Sequence, residues 1–321
     1  MNAKPLSLML TLLILIVFIW YFVLHIEDFK ILLSVNPSTL VLIAIGHSTA
    51  LFVNGLFLKI ILKIFDKKMT IAESFHASLI TATGNLFLPA GGGSGIQAVF
   101  LKKSHGLSYK NFLSALSGNY IIVFLLISLI GIIALLFIDT PLTFEYAAIF
   151  IAFCSVFILT LWLTIFGLPN WMLKYKSNGG SFVGKIFTNI VNVMKGWNLI
   201  TKNRKVILTL TLLTAINFMA LLLISYFSLL GAGAHVSFWG LVLYAVLGSM
   251  SLLVNLTPGA LGIKEAIYIF SSTVIGVTTP QIVGAAILDR GIKYIILIFS
   301  WVWIKIAGFM SRNKSSDAIS K

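Results

Sequence analysis

The chain has 321 residues, of which 59% are hydrophobic and only 10% are charged. Soluble domains carry about 25% charged residues, so this composition excludes a soluble globular protein and predicts an all-α polytopic membrane protein. The net charge of +14 comes from short runs of lysine and arginine between apolar segments. Such runs are typical of loops facing an anionic leaflet and not of a nucleic-acid-binding surface.

Six apolar segments are long enough to cross the hydrocarbon core as helices. The first, from Leu6 to Leu24, is too long for the apolar part of a signal peptide and is followed by no small-residue cleavage site. We therefore expect it to remain as a span. The six predicted spans lie near residues 6–24, 38–62, 108–137, 144–166, 204–230 and 280–308.

Two further apolar segments are interrupted by tips rich in proline and glycine. The first runs from Thr70 to Lys102, and the arm after its tip has about nine residues, or about 14 Å as a helix. Because a hydrocarbon core is about 30 Å thick, we predict a re-entrant hairpin that leaves on the side it entered. The second segment, from Phe238 to about Ile275, has the same form. The tip residues are Pro89, Gly92 and Gly95 in the first segment and Pro258, Gly259 and Gly262 in the second.

The two tips are similar in sequence, since residues 92–96 and 259–263 both read Gly, two residues, Gly, Ile. Interrupted segments at matching places in two halves indicate a transporter site between repeats. Lysines flank both ends of the first hairpin, so the positive-inside rule makes the hairpins enter from opposite faces. The prediction is one membrane domain over 1–311, with an inverted-topology repeat of about 38–137 and 204–308, followed by a short cytoplasmic tail over 312–321.

Ionisable residues inside the second repeat are the strongest candidates for a site, because a charge within a membrane usually faces a cavity or a partner. They are Lys264, Glu265, Asp289, Arg290 and Lys293. Asp289 and Lys293 share a helical face and are able to neutralise each other, while Glu265 is the candidate partner of Arg290. One interpretation is a set of ion pairs that only locks the hairpin to the last span. The other adds an anionic head group, whose phosphate Lys264 and Arg290 hold while Glu265 and Asp289 keep these cations in place.

Polar residues in other apolar segments are candidates for lining a cavity. They are His47, Asn54, Asn85, Gln97 and Asn255. Gln97 occupies the place that Lys264 has in the second repeat, and Asn119 and Tyr120 occupy the places of Asp289 and Arg290. The alternative for these residues is structural, as interhelical hydrogen bonds or as partners for interrupted backbone.

Several kinds of chemistry have no signature in the chain. A Walker A motif, an HExxH motif and a GxSxG elbow are absent, and Cys154 is the single cysteine. We therefore expect no metal site, no cofactor, no disulfide framework and no ATP-driven pumping by this chain.

The second tip, Pro258 to Ala266, followed by Gly276, Asp289 and Arg290, resembles the signature of the lysylphosphatidylglycerol synthase transmembrane region, a flippase-like domain family. The first tip resembles the family's earlier motif, although Ser94 to Gln97 lack the charged residues often found there. The resemblance covers about residues 6–309 and implies a membrane protein acting on lipids, with Glu265 and Arg290 as functional residues. Synthases of this family carry a soluble aminoacyl-transferase domain after the membrane part. Because about a dozen residues follow the last span here, we expect no enzymatic synthesis of lysyl-lipid.

The resulting hypothesis is a lipid translocase that moves an anionic phospholipid or a polyprenyl-phosphate-linked lipid across the cytoplasmic membrane, with both termini in the cytoplasm. Membrane lipids are the expected partners; a homo-oligomer and a partner in envelope-lipid biosynthesis are compatible with the sequence. Three alternatives stay open. They are a secondary transporter of a small anionic solute, a membrane-embedded lipid-modifying transferase with Glu265 or Asp289 as general base, and an accessory subunit of an envelope assembly.

Overall fold

The computed structural model describes residues 34–88, 91–166, 191, 196–251 and 257–319. The predicted first span at 6–24, Pro89 and Asn255 lie outside the described residues. The described part of the chain is helical and contains no β-strand. Its helices are α1 Pro37–Ile64, α2 Ile71–Phe87, α3 Gly92–His105, α4 Tyr109–Phe137, α5 Phe144–Phe166, α6 Arg204–Gly231, α7 Phe238–Met250, α8 Ile263–Phe270, α9 Ser272–Ile275 and α10 Thr279–Ile319.

Four helices, α1, α4, α5 and α6, are long and apolar enough to cross a membrane by length and composition. They coincide with four of the predicted spans, and α10 contains the predicted span near 280–308. Large apolar side chains on their outer faces are exposed, such as Leu136 and Ile158 at 64% and Leu208 at 71%. Because helices that are apolar on every side need an apolar surrounding, the fold is that of a multi-pass membrane protein.

Local caps fix where several helices begin. The Asn36 side chain accepts a hydrogen bond from the Ser38 backbone N–H at 2.9 Å, and Pro37 occupies the first turn of α1, where its missing N–H costs nothing. Thr70 and Glu73 form a reciprocal capping box at the start of α2, which satisfies two N–H groups that the helix leaves free. The interruptions between spans are therefore encoded locally, by capping residues.

The centre of the bundle is the pair α1 and α6, which run antiparallel. Gly46 in α1 lies against Ala220 and Ile224 in α6, and Gly231 at the end of α6 lies close to Thr39 near the start of α1. A Cβ on Gly46 would lie 3.2 Å from the carbonyl oxygen of Ala220. Glycine is therefore required at this crossing for the two backbones to approach so closely.

The first hairpin consists of α2 and α3, which run antiparallel in backbone contact. A Cβ on Gly84 would lie 2.7 Å from the Cα of Gly93, and one on Gly93 would overlap the carbonyl oxygen of Thr81. The Asn85 side-chain oxygen accepts a hydrogen bond from the Gly93 N–H at 2.9 Å. The turn between the arms includes Gly91 with a φ of 68°, a conformation that favours glycine.

The second hairpin pairs α7 with the arm formed by a short turn at Pro258–Ala260 and helices α8 and α9. The rings of Tyr244 and Tyr268 stack with centroids 3.8 Å apart and hold α7 against α8. Its returning arm is divided at Ser271. Both interrupted segments thus fold as antiparallel hairpins.

The two hairpins begin and end at opposite ends of the α1–α6 pair. The first lies between the end of α1 and the start of α4, and the second between the end of α6 and the start of α10. Gln281 near the start of α10 donates a hydrogen bond to the Gly233 carbonyl just after α6, at 2.9 Å. This contact fixes the start of α10 beside the end of α6.

Each hairpin packs against the last long helix of the other half. The Trp301 indole N–H in α10 donates a hydrogen bond to the Thr83 hydroxyl in α2 at 2.9 Å. Phe137 at the end of α4 stacks on Trp239 at the start of α7, with ring centroids 5.1 Å apart. The hairpin ends meet inside the bundle, where Gly259 lies beside Leu86. This interlocking places both tips beside one central space.

Candidate functional site: a polar cavity between the hairpins

The space between the hairpins is a cavity of about 440 Å³, within the range of small-molecule sites. Along α1 it extends from His47 to Ile61, and along α4 from Ile127 back to Phe112. Ile61 and Phe112 lie near the helix ends that flank the first hairpin. The cavity therefore occupies the half of the bundle in which the first hairpin begins and ends, and its deep end lies at His47.

Most of the polar residues predicted to line a cavity do so. They are His47, Asn54, Asn85 and Gln97, and the lining also includes Lys264, Asp289 and Lys293. Asn119 and Tyr120 line it too, and their correspondence to Asp289 and Arg290 in the predicted repeat could have indicated this. Hydroxyl and amide residues that the sequence reasoning missed are Ser78, Thr81, Ser94, Thr214, Asn217 and Ser249. In a helix that is apolar on every side, the sequence does not indicate which face a single polar residue occupies. The sequence therefore did not identify these six residues as lining a cavity.

Asp289 is the centre of a three-residue cluster at the deep end of the cavity. Lys264 Nζ lies 2.9 Å from Asp289 Oδ2, and His47 Nε2 lies 2.9 Å from Asp289 Oδ1. His47 Nε2 is also 3.1 Å from the Asp289 carbonyl oxygen. Because both oxygens only accept hydrogen bonds, Nε2 carries a proton. The cluster ties α1, α8 and α10 together.

The expected pairing of Asp289 with Lys293 is not what the structure shows. Lys293 lines the cavity but forms no ion pair or side-chain hydrogen bond with any described residue. Both carboxylate oxygens of Asp289 already have partners in Lys264 and His47. Sharing a helical face was not sufficient for pairing, because residues from other helices lie closer to the carboxylate.

Arg290 and Glu265 form the second cluster, and their predicted pairing is present. Arg290 Nε and Nη2 donate hydrogen bonds to Glu265 Oε1 at 3.0 and 2.6 Å. Arg290 Nη1 donates to the Gly259 carbonyl at 3.2 Å, and Glu265 Oε2 accepts from the Gly262 N–H at 2.8 Å. Glu265 is only 7% exposed. This cluster fixes the tip of the second hairpin to α10, and neither residue lines the cavity.

The two tips differ in where the returning helix begins. Gly92 starts α3, so Gly95 lies inside that helix, and a Cβ there would meet open space. In the second tip Gly259 and Gly262 have φ values of 61° and 78°, and α8 begins only at Ile263. Glu265 accounts for the difference, since it caps the Gly262 N–H at the helix start, and no carboxylate follows the first tip.

The family described as lysylphosphatidylglycerol synthase TM region matches residues 8–300. The chain belongs to this family. The match extends over both hairpins and over all four candidate spans. No curated protein matches the chain.

The five charged residues predicted to form the site of this lysylphosphatidylglycerol synthase transmembrane region carry one more positive than negative charge. Lys264, Arg290 and Lys293 are cations, Glu265 and Asp289 are anions, and all four carboxylate oxygens have a partner. No metal-binding group of three His, Cys, Asp or Glu residues occurs among the described residues. The cavity is therefore electrostatically suited to an anion.

Proposed function

We propose that the chain is a lipid translocase that moves a lipid with an anionic head group between the leaflets of the cytoplasmic membrane. The observation that carries this proposal is Lys293. It faces a polar cavity inside the bundle and has no ion-pair partner among the described residues. Lys293 is half-buried, and a partly desolvated cation without a direct ion-pair partner is unfavourable, so a bound phosphate would stabilise it. Membership of the lysylphosphatidylglycerol synthase TM region family, named for a lipid with a phosphate head group, supports a lipid as the bearer of the phosphate.

The proposal includes an inverted-topology repeat with re-entrant hairpins. It is supported by the antiparallel packing of α1 against α6, by the opposite ends at which the hairpins begin, and by the contact between their tips. The proposal also puts that end of the bundle, and both termini, in the cytoplasm, and the lysines at both ends of the first hairpin support this orientation. The cavity then faces the cytoplasmic leaflet.

In this mechanism Lys264 and Lys293 bind the phosphate while the acyl chains stay in the bilayer. Arg290, expected from the sequence to hold phosphate, instead holds the second tip in place through Glu265 and Gly259. A phosphate that binds Lys264 competes with Asp289 for the same ammonium group. Loss of the Lys264–Asp289 pair weakens the cluster that joins α1, α8 and α10 at the deep end. Substrate binding thereby favours opening toward the other leaflet.

The occupied carboxylates favour transport over the transferase alternative. A general base needs a free oxygen within reach of the proton that it removes. Asp289 contacts Lys264 and His47, and Glu265 contacts Arg290 and the Gly262 N–H. Both carboxylates are thus engaged in contacts that join helices, and this engagement supports transport over base catalysis.

The test is leaflet exchange of fluorescent phosphatidylglycerol in proteoliposomes, measured by quenching from outside the vesicles. Wild type should exchange the lipid faster than protein-free vesicles. Lys293→Met keeps the apolar stem but removes the charge, and should slow exchange by about tenfold or more, equivalent to about 1.4 kcal/mol. The matched control is Lys110→Met, since Lys110 is exposed and lies outside the cavity.

Two results would count against the proposal. Wild-type exchange no faster than in protein-free vesicles would exclude translocation of this lipid. Uptake of free glycerol phosphate without lipid exchange would instead support the small-solute transporter.

A further inference from the structure

The part of the cavity lining that lies outside α8 and α10 combines apolar side chains with neutral hydrogen-bonding ones. Helices α1 to α4 and α6 contribute amides and hydroxyls but no Asp, Glu, Lys or Arg to the lining. Asp289 is the single carboxylate among the described lining residues, and both of its oxygens are occupied. The lysines and the carboxylate of the lining thus all come from α8 and α10, whereas the amides come from the other helices.

Two of these amides have no structural partner. The side chains of Asn119 in α4 and Asn217 in α6 line the cavity and form no hydrogen bond with any described residue, and the Oδ1 atom of each is buried. Asn119 is 6% exposed. Leaving a buried polar group unsatisfied is energetically unfavourable. A ligand that hydrogen-bonds to these amides would remove that cost.

Other amides of the same cavity show the contrast. Asn85 accepts a hydrogen bond from the Gly93 N–H, and Asn54 donates one to the Ala50 carbonyl. Both therefore contribute to holding the backbone. Asn119 occupies the place in the first repeat that Asp289 has in the second, yet it contacts no charged residue. Its side chain is free to contact a ligand.

The chemistry of an amide matches that of a hydroxyl group. Asn offers one acceptor and two donors, whereas a phosphate monoanion mainly accepts and is satisfied by Lys264 and Lys293. An ammonium group would be repelled by the two lysines and would find no free carboxylate in the described lining. The complementary ligand carries a phosphate at one end and hydroxyl groups at the other.

We propose that the cavity selects a phosphate ester bearing free hydroxyl groups, such as a glycerol or sugar head group, and rejects an aminoacylated one. The phosphate lies at Lys264 and Lys293, and the hydroxyls contact Asn119 and Asn217. The assignment of a lipid as the ligand rests on the proposed function. The preference for a hydroxylated phosphate ester is a property of the cavity and is testable without lipid transport.

The first experiment compares three fluorescent lipids with identical acyl chains in the vesicles described above. They are phosphatidic acid, which has no hydroxyl beyond the phosphate, phosphatidylglycerol, and lysylphosphatidylglycerol, which adds ammonium groups. Wild type should exchange phosphatidylglycerol about tenfold faster than either of the others. Asn217→Leu and Asn119→Leu should reduce phosphatidylglycerol exchange toward the phosphatidic acid rate and leave that rate unchanged.

The matched control is Asn111→Leu, an exposed amide on α4 outside the cavity, which should leave all three rates unchanged. An unchanged phosphatidic acid rate also shows that a variant is folded. Should Asn119→Leu fail to fold, Asn217→Leu at its half-buried position tests the same contact. Equal wild-type rates for the three lipids, or variants that slow all three alike, would overturn the inference.

A binding measurement keeps this inference distinguishable from the proposed function. Purified wild type is titrated calorimetrically with methyl phosphate, glycerol phosphate and a sugar phosphate. Tighter binding of either hydroxylated ester, lost in Asn217→Leu, supports the inference even where no lipid is exchanged, and the tighter of the two identifies the head group. Equal affinity for all three phosphates contradicts it.

Discussion

The two hairpins of this protein have similar tip sequences but are held by different forces. In the first, Gly84 and Gly93 bring two backbones into contact, and the described tip contains no ionisable residue. In the second, Arg290 and Glu265 fix the tip through charged hydrogen bonds. A contact made by close packing keeps its strength whatever ligand binds nearby, whereas a charged ligand changes the strength of a nearby ion pair. Under the proposed function, the first hairpin is a fixed frame, and the second hairpin responds to substrate through Lys264, which lines the cavity.

The largest effect should follow from breaking the charged lock. Arg290→Leu leaves Glu265 buried without a counter-charge, and such a loss costs about 3–5 kcal/mol. Thermal unfolding of the purified protein in detergent should show a strongly lowered Tm. The double variant Arg290→Leu with Glu265→Leu should recover most of that loss, because no buried charge remains. A double variant as unstable as the single one would show that the pair acts mainly through its contacts to Gly259 and Gly262.

A smaller effect should follow from separating the backbones of the first hairpin. Gly93→Ala places a Cβ against the Thr81 carbonyl and the Asn85 side chain, and such overpacking costs about 1–3 kcal/mol. Gly95→Ala, two residues along the same helix, meets open space and should change the stability by less than about 1 kcal/mol. The melting temperatures of the two purified variants should therefore differ, with Gly93→Ala the lower. Similar losses for both would mean that the arms are not held by close packing.

The smallest effect concerns the capping box at the start of the first hairpin. Hydrogen bonds from the Thr70 backbone N–H and hydroxyl lower the pKa of Glu73 below its ordinary value. Because this pKa is lower in the folded than in the unfolded state, the stabilisation is present above the unfolded pKa and is lost as pH falls through the folded pKa. Glu73→Gln keeps the cap but not the charge, and should cost about 0.5 kcal/mol at neutral pH. The difference in Tm between wild type and variant should vanish in acid; a constant difference would contradict this.

The apolar pattern of the sequence was sufficient to predict the position of the long described helices. A lipid bilayer requires long apolar segments, and caps and charges mark their ends. The Arg290–Glu265 pair was also predictable, since the two residues lie in α8 and α10, which are close along the chain. The His47–Asp289 contact joins residues 242 positions apart and depends on how α1 crosses α10. No local pattern encodes that crossing. The same holds for Asn217, a lone amide in an apolar helix.

The contact between the hairpin tips bears on the electrical resistance of the membrane. Gly259 lies beside Leu86 and accepts a hydrogen bond from Arg290, so the two interruptions of the helices adjoin each other in the described part of the chain. Small ions that enter the cavity from one face would meet this contact and the paired Lys264 and Asp289. If the proposed function holds, lipid exchange should therefore proceed without dissipating the proton and sodium gradients of the cell.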